Sequence, residues 1–236
     1  MNTHVFKITA KTNLHVGNES GGDFTIIDKA IQRDPLTALP CINSSSLKGA
    51  INEFCAQSPN SCLRSDDEAK EKELAKVRQR IFGSDKTKKE VGSQKGEAVF
   101  FDAKLLFLPQ QDEQTLFYYV TSDDVIRMLN DRVKLFNPSF NFAKPANYKE
   151  KAVKTENAKL SALCSDDNLP IIARNVLDNG ESKNLWYEQV LPAETVLYTI
   201  IQENGNDLAN ALDGQIVQIG ANATIGYGYC KFELIK

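Results

Sequence analysis

The amino-acid sequence predicts an α+β protein with a ferredoxin-like arrangement, an antiparallel sheet with helices on one side, enlarged by long insertions. Three observations lead to this class. The apolar pattern alternates between strand-like and helix-like periods along the chain. With the insertions set aside, the elements run strand, helix, strand, strand, helix, strand. Asp178-Asn179-Gly180-Glu181 also sits between two strand-like runs, and Asn-Gly in that position is a strong hairpin signal.

Residues 5–16 place Phe6, Ile8, Ala10, Leu14 and Val16 on one face, which predicts a first strand buried on one side. The glycine-rich 17–23 follows as loop. Ser44, Ser45 and Ser46 are N-cap residues ahead of Leu47, Ala50, Ile51 and Phe54, so a helix begins there and runs to about Gln57, ended by Ser58-Pro59-Asn60-Ser61. Ser65-Asp66-Asp67-Glu68 reads as the capping box of a second, highly charged helix, marked by Leu74, Val77 and Ile81 and closed by Gly83. Residues 84–95, with Lys86, Lys88, Lys89 and Lys95, read as a solvated loop.

Residues 97–108 form an apolar strand ended by Pro109, and 115–121 form another. Ser122-Asp123-Asp124 caps a helix through about Phe136, with both acids suited to its N-terminal dipole. Residues 137–169 have little periodicity and hold Lys144, Lys149, Lys151, Lys154 and Lys159; so long a stretch is a functional insertion or is partly disordered. The hairpin arms are 171–177 and 185–191. A strand at 193–202, a helix capped by Asp207 to about Ile219, and a closing strand at 227–235 complete the chain. This is one domain over 1–236, with insertions at about 58–96 and 122–191.

A chain of 236 residues, 42% hydrophobic and 25% charged, can bury a real core. No apolar run is long enough for a membrane span and the first residues lack the apolar core of a signal peptide, so the expectation is a cytoplasmic protein without membrane contact. The cysteines at 41, 55, 62, 164 and 230 form no Cys-x-x-Cys pair and have no histidine cluster nearby; reduced, mostly buried thiols are expected. A net charge of −3 runs against a free-standing nucleic-acid binder, whose nonspecific affinity comes from neutralised phosphates. A local basic track within an assembly is less affected.

Residues 26–51 have the density of a site. The helix start at Ser44, Ser45 and Ser46 offers unpaired N–H groups and partial positive charge, and Lys48 adds a full charge one turn in. That is either a phosphate seat or a capped surface helix. Asp34-Pro35 is a turn starter, and Glu19 and Asp23 read the same way, whereas Asp28 lies between apolar Ile26-Ile27 and Ala30-Ile31, where a turn former is less needed. His15 reads as a packed histidine bonded to the loop. The three glycines of 220–228 let the backbone approach a ligand or another strand, without matching a Walker or dinucleotide fingerprint. A hairpin with Asn179, Lys183 and Asn184 near its tip, and Trp186 and Tyr187 on the returning arm, wedges against bases or is an ordinary hairpin with Trp186 in the core.

Six runs in order resemble one family: Leu14-His15-Val16-Gly17, Ile27-Asp28-Lys29-Ala30-Ile31-Gln32-Arg33-Asp34, Ser45-Ser46-Leu47-Lys48-Gly49-Ala50, Ile81-Phe82-Gly83, 96–106 and 220–228. Together they are similar to the RAMP superfamily of type III CRISPR effector subunits, most closely the backbone subunit of the Cmr (type III-B) module, with the Csm form next. The resemblance implies an RRM-like RAMP fold whose hairpin is a thumb, with Arg174, Asn179, Lys183 and Trp186 as its contact residues. It implies several copies stacked along a guide crRNA with other complex subunits, and RNA contacts by Arg33, Ser44, Ser45, Ser46, Lys48, Gly220, Asn222, Thr224, Gly226 and Gly228. Asp28 matches the residue required to cut target RNA, and would hold Mg²⁺ or Mn²⁺ only together with RNA phosphate. Asn52 stands where the family usually has an arginine. The alternatives are a non-catalytic crRNA-binding subunit of the same complex and a stand-alone processing ribonuclease, for which His4 and His15 are the only histidines.

Overall fold

The computed structural model describes residues 1–17, 27–84 and 94–235, in a mixed α+β fold. β1 (Asn2–Ala10) buries Val5, Phe6, Ile8, Thr9 and Ala10, so it is a central strand covered on both sides of its C-terminal half. The predicted continuation to Val16 is replaced by isolated bridges, Leu14 to Leu191 and Gly17 to Ile31. β2 (Cys41–Ile42) leads into α1 (Ser44–Gln57), which turns Leu47, Ile51, Phe54 and Cys55 to the core. In α2 (Glu68–Phe82) the cap is Asp67, whose side chain accepts from Lys70 N at 2.8 Å, and Gly83 at φ 92° ends the helix.

β3 (Val99–Phe100), β4 (Ala103–Asp112) and β5 (Leu116–Thr121) follow, and then α3 (Asp123–Lys134), whose N-cap Ser122 accepts from Val125 N at 3.2 Å as the sequence suggests. The aperiodic stretch after it is built, with β6 (Asn147–Tyr148), β7 (Lys151–Thr155) and α4 (Leu160–Leu163). β7 pairs in parallel with β5, Tyr119 opposite Val153, and Val153, Leu160, Cys164 and Leu169 are buried. A parallel pair needs a crossover, which α3 supplies.

β8 (Ile171–Asp178) and β9 (Glu181–Gln189) form a separate two-stranded sheet. Asn179 and Gly180 turn between them with φ of 51° and 87°, the two positive values a type I′ turn requires. β9 begins four residues earlier than the predicted arm at 185, since pairing continues to Asp178 opposite Glu181 past an irregularity at Val176/Leu177. β10 (Val196–Glu203) and α5 (Asp207–Leu212) come next. The predicted helix to Ile219 stops early because Gly214, at φ 76°, turns the chain into β11 (Ile216–Gln218). Asn206, not Asp207, is the N-cap of α5, and the N–H groups of Leu208 and Ala209 both go at 2.9 Å to the buried carboxylate of Glu203. A 3₁₀ turn (Ala223–Ile225) precedes β12 (Tyr229–Leu234).

The main sheet runs β11-β12-β1-β10-β4-β5-β7-β6, with β2 attached to β4 and β3 to β10. β4 passes through Pro109, where the sequence predicts an end. Pro109 pairs with Tyr119 beyond Phe107, the last residue that β10 pairs, so its missing N–H costs no ladder bond on that side. Cys41, Cys55, Cys164 and Cys230 are buried and Cys62 is exposed; burial pushes the Cys41 thiol up to about 11 and those of Cys55 and Cys164 to about 12. Among the described residues, no helix is long and apolar enough to cross a membrane.

Candidate nucleic-acid interface

The β8–β9 hairpin leaves the body with both arms largely exposed and only its root buried, at Glu188 and Gln189. The root is where the predicted site residues meet. Asp28 and Lys29 lie alongside it: their N–H groups donate to the Tyr187 carbonyl at 3.0 and 3.1 Å, and Gln189 N donates to the Lys29 carbonyl at 2.9 Å. The exposed Asp28 carboxylate completes the exchange by accepting from Tyr187 N at 2.7 Å through Oδ2. Asp28 therefore fastens the segment ahead of β2 to the returning arm of the hairpin.

One residue further on, Glu188 is 2% exposed, and a buried carboxylate must find compensating partners. It gathers them from four segments. Arg174 of β8 approaches Oε2 with Nε at 3.1 Å, and Asn222 of the glycine-rich loop donates to Oε2 at 2.8 Å. Lys29 Nζ and His15 Nε2 lie 3.8 and 3.9 Å from Oε1. His15 is packed as expected, and its Nδ1 bonds the Gln189 carbonyl at the hairpin root at 2.7 Å; most of the loop read as its partner lies outside the described residues. Sequence reasoning passed over Glu188. Its signal was a single acid inside the run Leu185-Trp186-Tyr187-Glu188-Gln189-Val190-Leu191.

The glycine-rich loop is shaped mainly by its own chain. A Cβ on Gly220, at φ 80°, would lie 2.2 Å from the His15 carbonyl oxygen, and one on Gly228, at φ 79°, 2.0 Å from that of Ile219. Of the two uses open to these glycines, close approach to another segment is what the structure contains. Gly226 has open space around it, Thr224 is exposed, and Asn222 at φ 67° directs its amide to Glu188.

The predicted phosphate seat at α1 is built differently. Ser44, Ser45 and Ser46 are the first helical residues and not its caps, because extended Asn43 occupies the N-cap position, with no side-chain cap bond. Ser44 N donates to Asp102 Oδ1 at 2.8 Å, so one of the chain's own carboxylates already stands at the helix start. Burial raises the Asp102 carboxyl, but Lys104 and the Ser44 N–H outweigh it and hold it below its ordinary value. Ser46 Oγ accepts from Gln32 Nε2 at 3.1 Å, while Ser45 and Lys48 line an open groove that also includes Lys95. Gln32 Nε2 also donates to the Gly17 carbonyl at 3.2 Å, which links this helix start to the segment after His15.

Arg33 is committed within the chain. Its Nη1 donates to the Ala38 and Cys164 carbonyls at 2.9 and 2.7 Å, and its Nη2 to Asp166 Oδ1 at 2.7 Å. Asp166 also accepts from Gln189 Nε2 at 3.0 Å, so Arg33 braces the hairpin root through a shared carboxylate. Asp34 is the expected turn former, accepting from Leu36 N and Thr37 N at 2.9 and 2.8 Å.

Of the hairpin residues, Asn179 forms the turn, Lys183 lies 3.5 Å from Glu181, and half-buried Trp186 has Lys29 Nζ 4.9 Å from its ring centroid. Val176, Leu177 and Leu185 are exposed apolar residues of the arms that sequence reasoning did not single out. Glu19, Asp23, Lys86, Lys88 and Lys89 lie outside the described residues. Among the described residues no three His, Cys, Asp or Glu side chains gather as a metal site. The lone Asp28 carboxylate, with one oxygen already accepting from Tyr187, fits an ion held mostly by phosphate oxygens and does not fit an all-protein site.

The chain with this fold belongs to a known class: the RAMP superfamily model matches residues 7–231, and the chain is a member of that superfamily. It is similar to the CRISPR system Cmr endoribonuclease Cmr4 of Pyrococcus furiosus, at 23% identity over an alignment that covers 99% of this chain and 96% of the relative. Its fold is similar to a chain of the type III-B Cmr-beta complex bound to cognate target RNA, solved by cryo-EM, with a TM-score of 0.77 at 19% identity, covering 99% of this chain and 97% of that one. It is also similar to oligomeric Cmr4 from Pyrococcus furiosus, with a TM-score of 0.65 at 18% identity over 100% and 98% of the two chains.

Proposed function

We propose that this chain is a backbone subunit of a type III-B CRISPR effector complex, binding guide crRNA in several stacked copies and cleaving complementary target RNA at regular intervals through Asp28. Membership is supported by a relative named for the Cmr complex and by fold neighbours described as a target-bound Cmr assembly and an oligomeric Cmr4. In this reading β12-β1-β10-β4 with α1 and α5 is the ferredoxin-like nucleus of a single domain, 58–96 and 122–191 are its insertions, and β8–β9 is the thumb. The protein holds RNA by its backbone, and base pairing supplies the sequence specificity.

The observation that carries the cleavage reading is the bond from Tyr187 N to Asp28 Oδ2, 2.7 Å. It makes the hairpin and the carboxylate one unit. When the hairpin displaces a nucleotide, the distorted phosphodiester is presented at a fixed place relative to Asp28, and such alignment can supply a large part of a barrier. Asp28 would hold an ion or a water that deprotonates the neighbouring 2′-hydroxyl. That oxygen attacks the phosphorus in line, forming a 2′,3′-cyclic phosphate as the bond to the 5′-oxygen breaks and the departing oxygen takes a proton from water. Mg²⁺ or Mn²⁺, shared between Asp28 and RNA phosphate, would neutralise charge on the phosphodiester. The same hydrogen bond also favours a second reading, in which Asp28 only anchors the hairpin of a non-catalytic crRNA-binding subunit.

Asp28→Asn separates the two, because an amide oxygen can still accept from Tyr187 N while the negative charge is gone. In the assembled, guide-loaded complex at matched RNA occupancy, the expected result is a loss of evenly spaced target cleavage by about 10²-fold or more with Asp28→Asn and Asp28→Ala. EDTA should abolish cleavage in the wild type while target binding survives. Unchanged products from Asp28→Asn would make this chain a scaffold and place the nuclease in another subunit.

A further inference from the structure

We infer that the hairpin root contains an anion seat, in which Arg174 Nη2, Trp186 Nε1 and Lys29 Nζ receive a phosphate oxygen of the bound RNA; this rests on the RNA-binding reading above and deepens it. Four buried side-chain polar atoms among the described residues lack a hydrogen-bond partner, and two of them are Arg174 Nη2 and Trp186 Nε1. Those two residues face each other directly across β8 and β9. Opposed residues in an antiparallel pair carry their side chains on one face, with Cβ atoms about 5 Å apart. Buried donors without acceptors are uncommon in folded proteins, and two on one cross-strand pair call for a missing acceptor.

The surroundings fix the donors in place. Arg174 is held at its Nε edge by Glu188 Oε2 at 3.1 Å and on its face by Tyr227, whose ring centroid is 4.6 Å from the guanidinium carbon. Nη2 is the buried guanidinium nitrogen left without a partner. Lys29 Nζ is 4.9 Å from the Trp186 ring centroid and 3.8 Å from Glu188 Oε1, which brings a second cation to the same face. Both cations lean on one carboxylate, Glu188, while the indole N–H has no acceptor. An anionic oxygen completes that set, and the planar guanidinium matches phosphate geometry. Trp186 then serves through its N–H edge, since Lys29 covers a face that a base would need for stacking.

The test is target-RNA binding by the reconstituted, guide-loaded complex across a range of KCl concentrations, with Asp28→Asn in every version so that cleavage plays no part. Trp186→Phe keeps an aromatic ring beside Lys29 and removes the N–H donor. It is expected to weaken binding about fivefold or more, at an unchanged salt slope and with an unchanged unfolding midpoint. Arg174→Gln is expected to flatten the plot of log K against log salt by about 0.7 for each phosphate that is no longer neutralised. Full affinity in both variants overturns the seat while leaving the RNA-binding reading intact. Weakened binding with an unchanged slope for Arg174→Gln assigns the donors to a neutral acceptor such as a base carbonyl, and overturns the phosphate assignment. Failure of the parent complex to bind target RNA removes the RNA-binding reading and the seat with it.

Discussion

Lys104 lies between two carboxylates, 2.6 Å from Asp34 and 3.0 Å from Asp102, with Lys104 and Asp34 both nearly buried. Burial raises the Asp34 carboxyl, but the Lys104 ammonium and the Thr37 and Leu36 N–H groups outweigh it and bring it down from 3.8 to about 2. A carboxyl whose folded value is depressed stabilises the native state fully above its unfolded value, and that contribution is lost as pH falls through the folded one. Asp34→Asn is therefore expected to cost about 2 kcal/mol in urea unfolding at pH 7, with the deficit shrinking between about pH 4 and pH 2. A deficit independent of pH would mean that the turn, and not the charge, is what Asp34 supplies. At this scale the sequence was legible where chemistry is local: Asp34 beside Pro35 declares a turn without reference to the rest of the chain. Arg33 and Glu188 were not legible, because their partners lie far along the chain. Asp166 is 133 residues from Arg33, and Asn222 is 34 from Glu188.

At the scale of elements, the three glycines of 220–228 separate into two kinds. Gly220→Ala and Gly228→Ala each drive a Cβ to within 2.2 and 2.0 Å of a carbonyl oxygen, and an expected cost of about 3 kcal/mol or more follows from overlap added to a positive φ. Gly226→Ala meets nothing within 4 Å and should cost only about 1 kcal/mol, the penalty of its φ. Thermal unfolding of the three variants checks the order, and equal losses would contradict it. The glycine cluster was visible in the sequence, but which glycines need to be glycine depends on His15 and Ile219 closing over them. Capped helices were equally visible at Ser122, where the N-cap bonds its own first turn. The cap of α5 was not, since its N–H groups go to Glu203, the last residue of a strand. Residues 137–169 carry too few apolar side chains to show a period, so their place beside β5 depends on a surface that only the folded chain provides.

For the molecule as a whole, the alternation of strands and helices was enough to anticipate α+β architecture, while the order β11-β12-β1-β10-β4-β5-β7-β6 required the long-range pairings themselves. That order leaves the main sheet with small margins. β11 at one end has three residues and β6 at the other has two, too little backbone to template a neighbouring sheet. The hairpin is the opposite case: β8 and β9 have eight and nine residues and pair with each other, and among the described residues their one isolated bridge to another segment is Lys29 to Glu188 at the root. Ile216→Lys on β11, where Ile216 is 51% exposed, is thus expected to leave self-association unchanged in sedimentation velocity. Loss of the oligomer in that variant would show that the sheet margin joins the copies. In the stacked assembly proposed above, margins this short would not let one subunit's sheet continue into the next, as a fibril's does. In that reading the projecting hairpin, and not the sheet margin, is what reaches the next copy, so the number of copies would follow the length of the RNA template and not the stickiness of the strands.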